Sequence, residues 1–309
     1  MTPPTAAFED TVAPAVTVPA LRTHKRWQRA ALFLLAAESV VLFWPTVAWL
    51  FDRWTLSVWH HAHGLLIPPV VGYFAYKELR PYADRPASAS AWGFAFLVPA
   101  LALHAIDAGL HTQLLSAFAL IVALPGFSLL LLGKERTKAI AFPLFFLLFS
   151  LPIPLTFTEE IHWQLRQIAV AASSAIVPWL GIPVFVEGTT LHMARESVEV
   201  ADACSGFSTL YASIAVAALT AYSTPSKARR LVVLLSAAPL AITANILRVI
   251  SLVLLVVWQG SAILETFIHP LSGMATFALA LPVIFWLGGS DTAPAAAART
   301  DAPAATPRS

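Results

Sequence analysis

Apolar residues in this chain come in blocks of about 20, the length that spans the hydrocarbon core of a bilayer. Eight such blocks are readable, at about residues 30–51, 61–76, 92–106, 114–132, 139–157, 203–222, 231–258 and 271–287. Pro68 and Pro69 predict a kink in the second. A ninth stretch, residues 163–182, is different. Ile161, Leu165, Ile168, Ala172, Ile176 and Trp179 recur at steps of three and four, with Gln164, Gln167, Ser173 and Ser174 between them. That period predicts an amphipathic helix lying in the interface or re-entering, not crossing.

Charge placement decides whether the ninth stretch crosses. Arg22, Lys25, Arg26 and Arg29 precede the first block. Lys77, Arg80 and Arg85 follow the second, and Lys134, Arg136 and Lys138 follow the fourth. Cytoplasmic loops carry the excess of Lys and Arg, so these segments are expected inside. If residues 163–182 stay on the outer side, Lys227, Arg229 and Arg230 also fall inside; if they cross, those cations fall outside. The expectation is therefore an all-α polytopic membrane protein of about eight transmembrane helices, with both termini cytoplasmic. Residues 158–202 then form one outer region holding the amphipathic or re-entrant segment. Within it, Val184–Val186 and Ser197–Val200 are β-prone.

Composition supports a membrane home. Of 309 residues, 58% are hydrophobic and 12% charged, about half the charged share of a soluble domain. Net charge is only +2, with cations clustered between apolar blocks, which fits topology and not nucleic-acid binding. Residues 1–29 read as a disordered cytoplasmic tail, 30–289 as the transmembrane domain and 290–309 as a second cytoplasmic tail. Glu9, Asp10 and the lack of an apolar core argue against a secretory signal at the start.

Three polar residues stand near the outer ends of the last three blocks. Cys204 is the only cysteine, so no intrachain disulfide forms. It lies in Asp202-Ala203-Cys204-Ser205-Gly206, at a helix start where Asp202 or Ser205 serves as cap and the helix end favours thiolate. Arg248 lies ten residues before Trp258, about 15 Å below the outer end. A guanidinium at that depth costs about 2.5 kcal/mol or more and calls for a polar cavity and a partner. Asn245 is one helical turn away. His269 opens the last block, ahead of Ser272 and Gly273. Together they suggest cysteine acyl transfer: Cys204 attacks a carbonyl, His269 exchanges protons, and Arg248 stabilises the oxyanion. Glu187 and Glu199 in the acidic outer region, and His63 near an outer loop, are candidate substrate contacts. No carboxylate or thiol completes a metal set with His60, His61 and His63, so neither metal nor cofactor is expected.

These residues resemble the exosortase/archaeosortase family. The likeness rests on Ala203-Cys204-Ser205-Gly206, on Ala244-Asn245-x-x-Arg248-Val249, and on His269 with Ser272-Gly273 and Phe277. Weaker matches are His63-Gly64-x-x-Ile67-Pro68, Phe145 to Pro154, and Gly181-Ile182-Pro183 leading to Glu187-Gly188. Where many members carry an arginine after the Cys-Ser-Gly, this chain has Phe207 and Ser208. The resemblance implies a Cys-Arg-His triad acting on exported proteins that bear a C-terminal sorting signal: a short motif, a membrane helix and a basic tail. It further implies transfer to a cell-surface acceptor, often beside exopolysaccharide production.

Two other readings compete. A transporter would use Arg248, Glu38, His104 and Asp107 along a pathway, but leaves the gathering of Cys204, Arg248 and His269 unexplained. A noncatalytic polysaccharide-export factor is the third.

Overall fold

The structure, a computed structural model, describes residues 20–56 and 63–289. The chain divides into two compact units, residues 1–45 and 46–309. Helix α1 (Ala20–Leu56) begins in the first unit and passes Pro45 into the second. The remaining α-helices of the described residues are α2 (His63–Leu79), α3 (Phe94–Leu110), α4 (Leu114–Leu131), α5 (Lys134–Ala139), α6 (Ala141–Phe146), α7 (Leu155–Ile176), α8 (Phe207–Ser223), α9 (Lys227–Gln259) and α10 (Ile268–Gly288).

Four described helical segments are long and apolar enough to cross a bilayer: Ala91–Leu110, Leu114–Leu131, Lys227–Gln259 and Leu271–Gly288. Ala141–Ser150 and Phe207–Ser223 are shorter apolar helices. Large apolar side chains lie exposed along the long ones, such as Phe94, Val98, Leu101 and Ile106 on α3 and Leu279, Phe285 and Trp286 on α10. Such surface is costly in water and free of that cost in lipid.

The expected fifth block is not one helix. The chain is helical through α5 and α6, tightens into a 3-10 turn at Leu147–Ser150 and then runs extended from Leu151. Pro152 and Pro154 cause the break: each lacks an N–H, and each disfavours helix in the residue before it. Pro154 then leads directly into α7.

Helix α7 is the amphipathic stretch, but it starts earlier and is rotated from the expected face. Thr158, His162, Leu165, Ala169 and Ser173, at steps of three and four, are buried, as are Val170 beside them and Val177 in the 3-10 turn that follows. Phe157, Ile161, Ile168 and Ile176 are exposed. The packed face carries His162 toward the site described below, and the outward face is mixed, with Glu159, Glu160 and Gln164 exposed beside the apolar residues, as suits a helix at a bilayer interface.

After α7 a small antiparallel sheet forms: β1 (Phe185–Glu187), β2 (Thr190–His192) and β3 (Ser197–Glu199), in the order β1-β2-β3. The expected β-prone segments correspond to β1 and β3, and β2 is additional. Leu191, Val198 and Val200 point into a core with Ala169 and Val170 of α7, Cys204, and Val249, Leu252, Val253 and Val256 of α9. The sheet therefore roofs the segment that carries the cysteine. Separate apolar clusters join α8 to α9 and α10 through Ala217, Val233 and Ile284, and α2 to α6 and α8 through Ile67, Phe146 and Ala215.

The α3–α4 turn is held by Asp107, which is 1% exposed. Its carboxylate accepts from the Thr112 N–H (3.2 Å), the Thr112 hydroxyl, and the Ser116 N–H (3.1 Å) in the first turn of α4. His104 Nδ1 in turn meets Ser116 Oγ at 2.9 Å. His111 and Gln113 adopt positive φ to make the turn, a conformation uncommon for residues other than glycine. Two of the polar groups that a transporter reading would use are thus committed to closing a helical hairpin. Replacing Asp107 by Ala should strand these donors and destabilise the protein by about 1–3 kcal/mol, measured as a lowered thermal midpoint in detergent; an unchanged midpoint would show the turn is held otherwise.

Candidate active site

The site begins with a break in helix geometry. Between β3 and α8 the chain makes a 3-10 turn, Asp202–Cys204, in which the Cys204 N–H donates to Ala201 O at 2.8 Å. Gly206 follows with φ +85° and is the N-cap of α8. A Cβ there would sit 2.5 Å from the Asn245 side chain, so the glycine serves both the left-handed turn and the close approach of α9. Asp202 and Ser205 are the caps that the sequence predicts. Instead Asp202 forms an ion pair with Arg166 of α7 at 2.7 Å, while Ser205 Oγ accepts weakly from the Phe207 N–H at 3.3 Å.

Asn245 fills the space that Gly206 leaves. Its side-chain amide donates to Cys204 O (3.1 Å) and to Ser205 O (3.0 Å). The residue is 3% exposed, so both carbonyls are satisfied away from water. These two acceptors fix the amide orientation, and Oδ1 is left without a hydrogen-bond partner. One orphaned buried acceptor at such a place is a cost carried for position.

Arg248 follows one turn later on α9 and is also buried. Its Nε donates to Ser272 Oγ of α10 at 2.9 Å. Gly273 faces the guanidinium: a Cβ at position 273 would lie 3.6 Å from it, an ordinary van der Waals contact. Positions 269, 272 and 273 share one face of α10 by helical period. His269 belongs to the first turn of α10; its side chain lies outside the described residues.

Cys204 is 4% exposed. Burial pushes its thiol pKa up, and the nearby Arg248 guanidinium pulls it down, with the net direction upward. The sequence position alone predicts a helix end that favours thiolate. Desolvation outweighs it, and Arg248 supplies the opposing charge.

His162 of α7 completes the surroundings, a residue the sequence pattern does not single out. It is buried, and its Nδ1 lies 2.8 Å from Ser205 Oγ. Its ring packs on Phe207 at 4.6 Å between centroids. Phe207 stacks on Tyr211 at 6.1 Å, and Tyr211 meets His63 edge-on at 5.2 Å. His63 is thereby connected to the cysteine turn through aromatic contacts. The acidic candidates are farther out. Glu187 pairs with His192 at 3.3 Å across the β1–β2 hairpin, and Glu199 is an exposed residue of β3. His60 and His61 lie outside the described residues. Among the described residues, no three His, Cys, Asp or Glu side chains gather as metal ligands.

A buried thiol, a buried guanidinium and an amide clamp thus converge where α8, α9 and α10 meet, beneath the sheet. The family model for the transmembrane exosortase matches residues 54–286. The chain belongs to the transmembrane exosortase family. This exosortase match spans well over half of the chain and takes in every candidate residue from His63 to His269. A multi-pass membrane protein follows from the family and the apolar helices together. Neither the curated proteins nor the solved structures give a match.

Because this exosortase has one cysteine, alkylation by iodoacetamide reads Cys204 alone. The rate should rise with pH through a midpoint above that of an ordinary thiol, and Arg248→Gln should move the midpoint further up by removing the cation that favours thiolate. A midpoint unmoved in the variant would separate the two residues electrostatically.

Proposed function

We propose that the protein is a membrane cysteine peptidase and transpeptidase that cleaves C-terminal sorting signals of exported proteins on the extracytoplasmic face of the inner membrane, with both termini cytoplasmic. The observation that carries this reading is the pairing of the buried Cys204 thiol with the Arg248 guanidinium, a cation otherwise costly at that depth.

In this reading Cys204 Sγ, as thiolate, attacks the scissile carbonyl, and the carbonyl oxygen becomes an oxyanion beside Arg248. His269 gives a proton to the departing amine as the C–N bond breaks, leaving a thioester on Cys204. His269 then takes a proton from an incoming nucleophile, which attacks the thioester and frees the thiolate. Water gives hydrolysis; a cell-surface acceptor gives transfer, linked to exopolysaccharide production. Asn245, Gly206, Ser205 and Asp202 hold the cysteine turn in place. Glu187, Glu199 and His63 contact the substrate on the outer side.

The test is co-expression with a candidate substrate carrying a C-terminal signal, followed by mass spectrometry of the new C-terminus. A defined truncation with the wild type, absent in Cys204→Ala and reduced by at least about 100-fold in His269→Ala, is expected. Processing that survives Cys204→Ala would eliminate the thiol mechanism and favour a transporter or assembly role.

His162 acts as a positioning residue through Ser205. His162→Phe keeps the packing on Phe207 but removes the hydrogen bond, so it should slow both processing and Cys204 alkylation. His162→Asn, which places a polar atom near the former Nδ1, should recover part of the rate. Equal rates in the two variants would make the bond irrelevant and leave only packing.

A further inference from the structure

A second polar site lies far from the cysteine along the chain. The loop between α2 and α3 and the connection between α4 and α5 are joined to each other. Ser88 and Gly133 form a β-bridge. The Arg136 guanidinium reaches across, and one of its nitrogens donates to Tyr82 O at 2.7 Å and to Arg85 O. Ser90 N–H donates to Leu129 O at 2.9 Å. Gly133 is required for this closeness: with φ +84°, any Cβ would collide with the Ser88 carbonyl.

Between the two loops is a cavity of about 590 Å³. Arg85, Lys134 and Arg136 line it, with Glu135 as the one carboxylate. None of the three cations has a carboxylate partner among the described residues. Two rest on aromatic rings instead, Arg85 over Tyr82 at 5.3 Å and Lys134 over Trp92 at 6.0 Å. Cations left unneutralised around a walled cavity repel one another until an anion enters.

The depth of the cavity says which anion. Its walls end at Ala91 and begin again at Leu132. These positions are the terminus of one membrane-length segment, Ala91–Leu110, and the residue just past another, Leu114–Leu131. Helices of that length end where hydrocarbon gives way to headgroups. Trp92 is 66% exposed at the same level, as expected of an interfacial aromatic. The loops are also those whose Lys and Arg content assigns them to the cytoplasmic side, where anionic lipid is attracted to basic segments.

We propose that this cavity binds the phosphate headgroup of an anionic phospholipid. Arg85 and Lys134 contact the phosphate, Arg136 fixes the loops that form the walls, and the acyl chains run along the exposed apolar surface of α3.

The full chain in mixed micelles with equimolar phosphatidylglycerol and phosphatidylcholine provides the test, with retained lipid counted by native mass spectrometry. Wild type should retain the anionic lipid several-fold over the zwitterionic one. The preference should fall to near parity in Arg85→Gln/Lys134→Gln and persist in Arg80→Gln/Lys138→Gln, which removes the same charge outside the cavity. An equal fall in both would reduce the effect to diffuse surface charge and overturn the site, as would parity in wild type. Inorganic phosphate supplies the second arm. Stabilisation of wild type by phosphate without any lipid preference would identify a free-anion site and overturn the lipid assignment. Within the protein Lys134→Gln alone removes a contact over Trp92, so it keeps the test open if the double variant folds poorly; because it also removes one of the two phosphate contacts, its expected result is a partial loss, and full retention would overturn the role of Lys134. The rate of Cys204 alkylation, unchanged across these variants, certifies an intact fold at the distant site.

Discussion

Two hydrogen bonds from one buried amide organise the cysteine site of this protein. Asn245 holds the carbonyls of Cys204 and Ser205 at the point where a sheet strand gives way to the apolar helix α8. Neither carbonyl is part of a regular helix ladder, and both residues are buried. Without the amide each would carry the cost of an unmet acceptor. Gly206 exists so that Asn245 can approach, and Arg248 sits one turn along the same helix. The cysteine, the glycine and the arginine are therefore one device, set by the approach of α9.

That device explains why the rest of the structure is arranged around it. The sheet buries Leu191 and Val198 over Cys204 and α9. The α10 helix is tied to α9 because Ser272 gives the Arg248 Nε an acceptor. Helix α7 turns His162 toward the site and leaves Phe157, Ile161, Ile168 and Ile176 outward. A desolvated thiol is a poor nucleophile, and Arg248 is the cation that works against the desolvation, with the net direction still upward. The same low-polarity surroundings that suppress the thiol strengthen its attraction to that arginine.

Much of this is legible in the residues. Apolar blocks locate most of the helices, and four of the described helical segments have the length and apolar character that bilayer thickness demands. Cys204, Asn245 and Arg248 stand out because polar groups are expensive inside apolar blocks. Other features are hidden. His162 lies 43 positions before Ser205, in a helix whose apolar pattern marks the opposite side; its signal is a polar residue recurring with Thr158, Leu165 and Ala169 at helical steps. Strand β2, with Thr190-Leu191-His192, shows no β-rich run and forms because its neighbours pair with it. The break in the fifth block is written in Pro152 and Pro154 but masked by the surrounding hydrophobicity. The direction of the thiol shift depends on burial, which no local motif encodes.

Helix α7 grips the cysteine turn on both sides. Arg166 is tied to Asp202, two residues before the thiol, and His162 to Ser205, one residue after it. These anchors are a single helical turn apart, so the helix and the turn travel as one piece. A displacement of α7 would therefore move the residues on either side of the sulfur together, which makes this helix a lever on the geometry of the thiol.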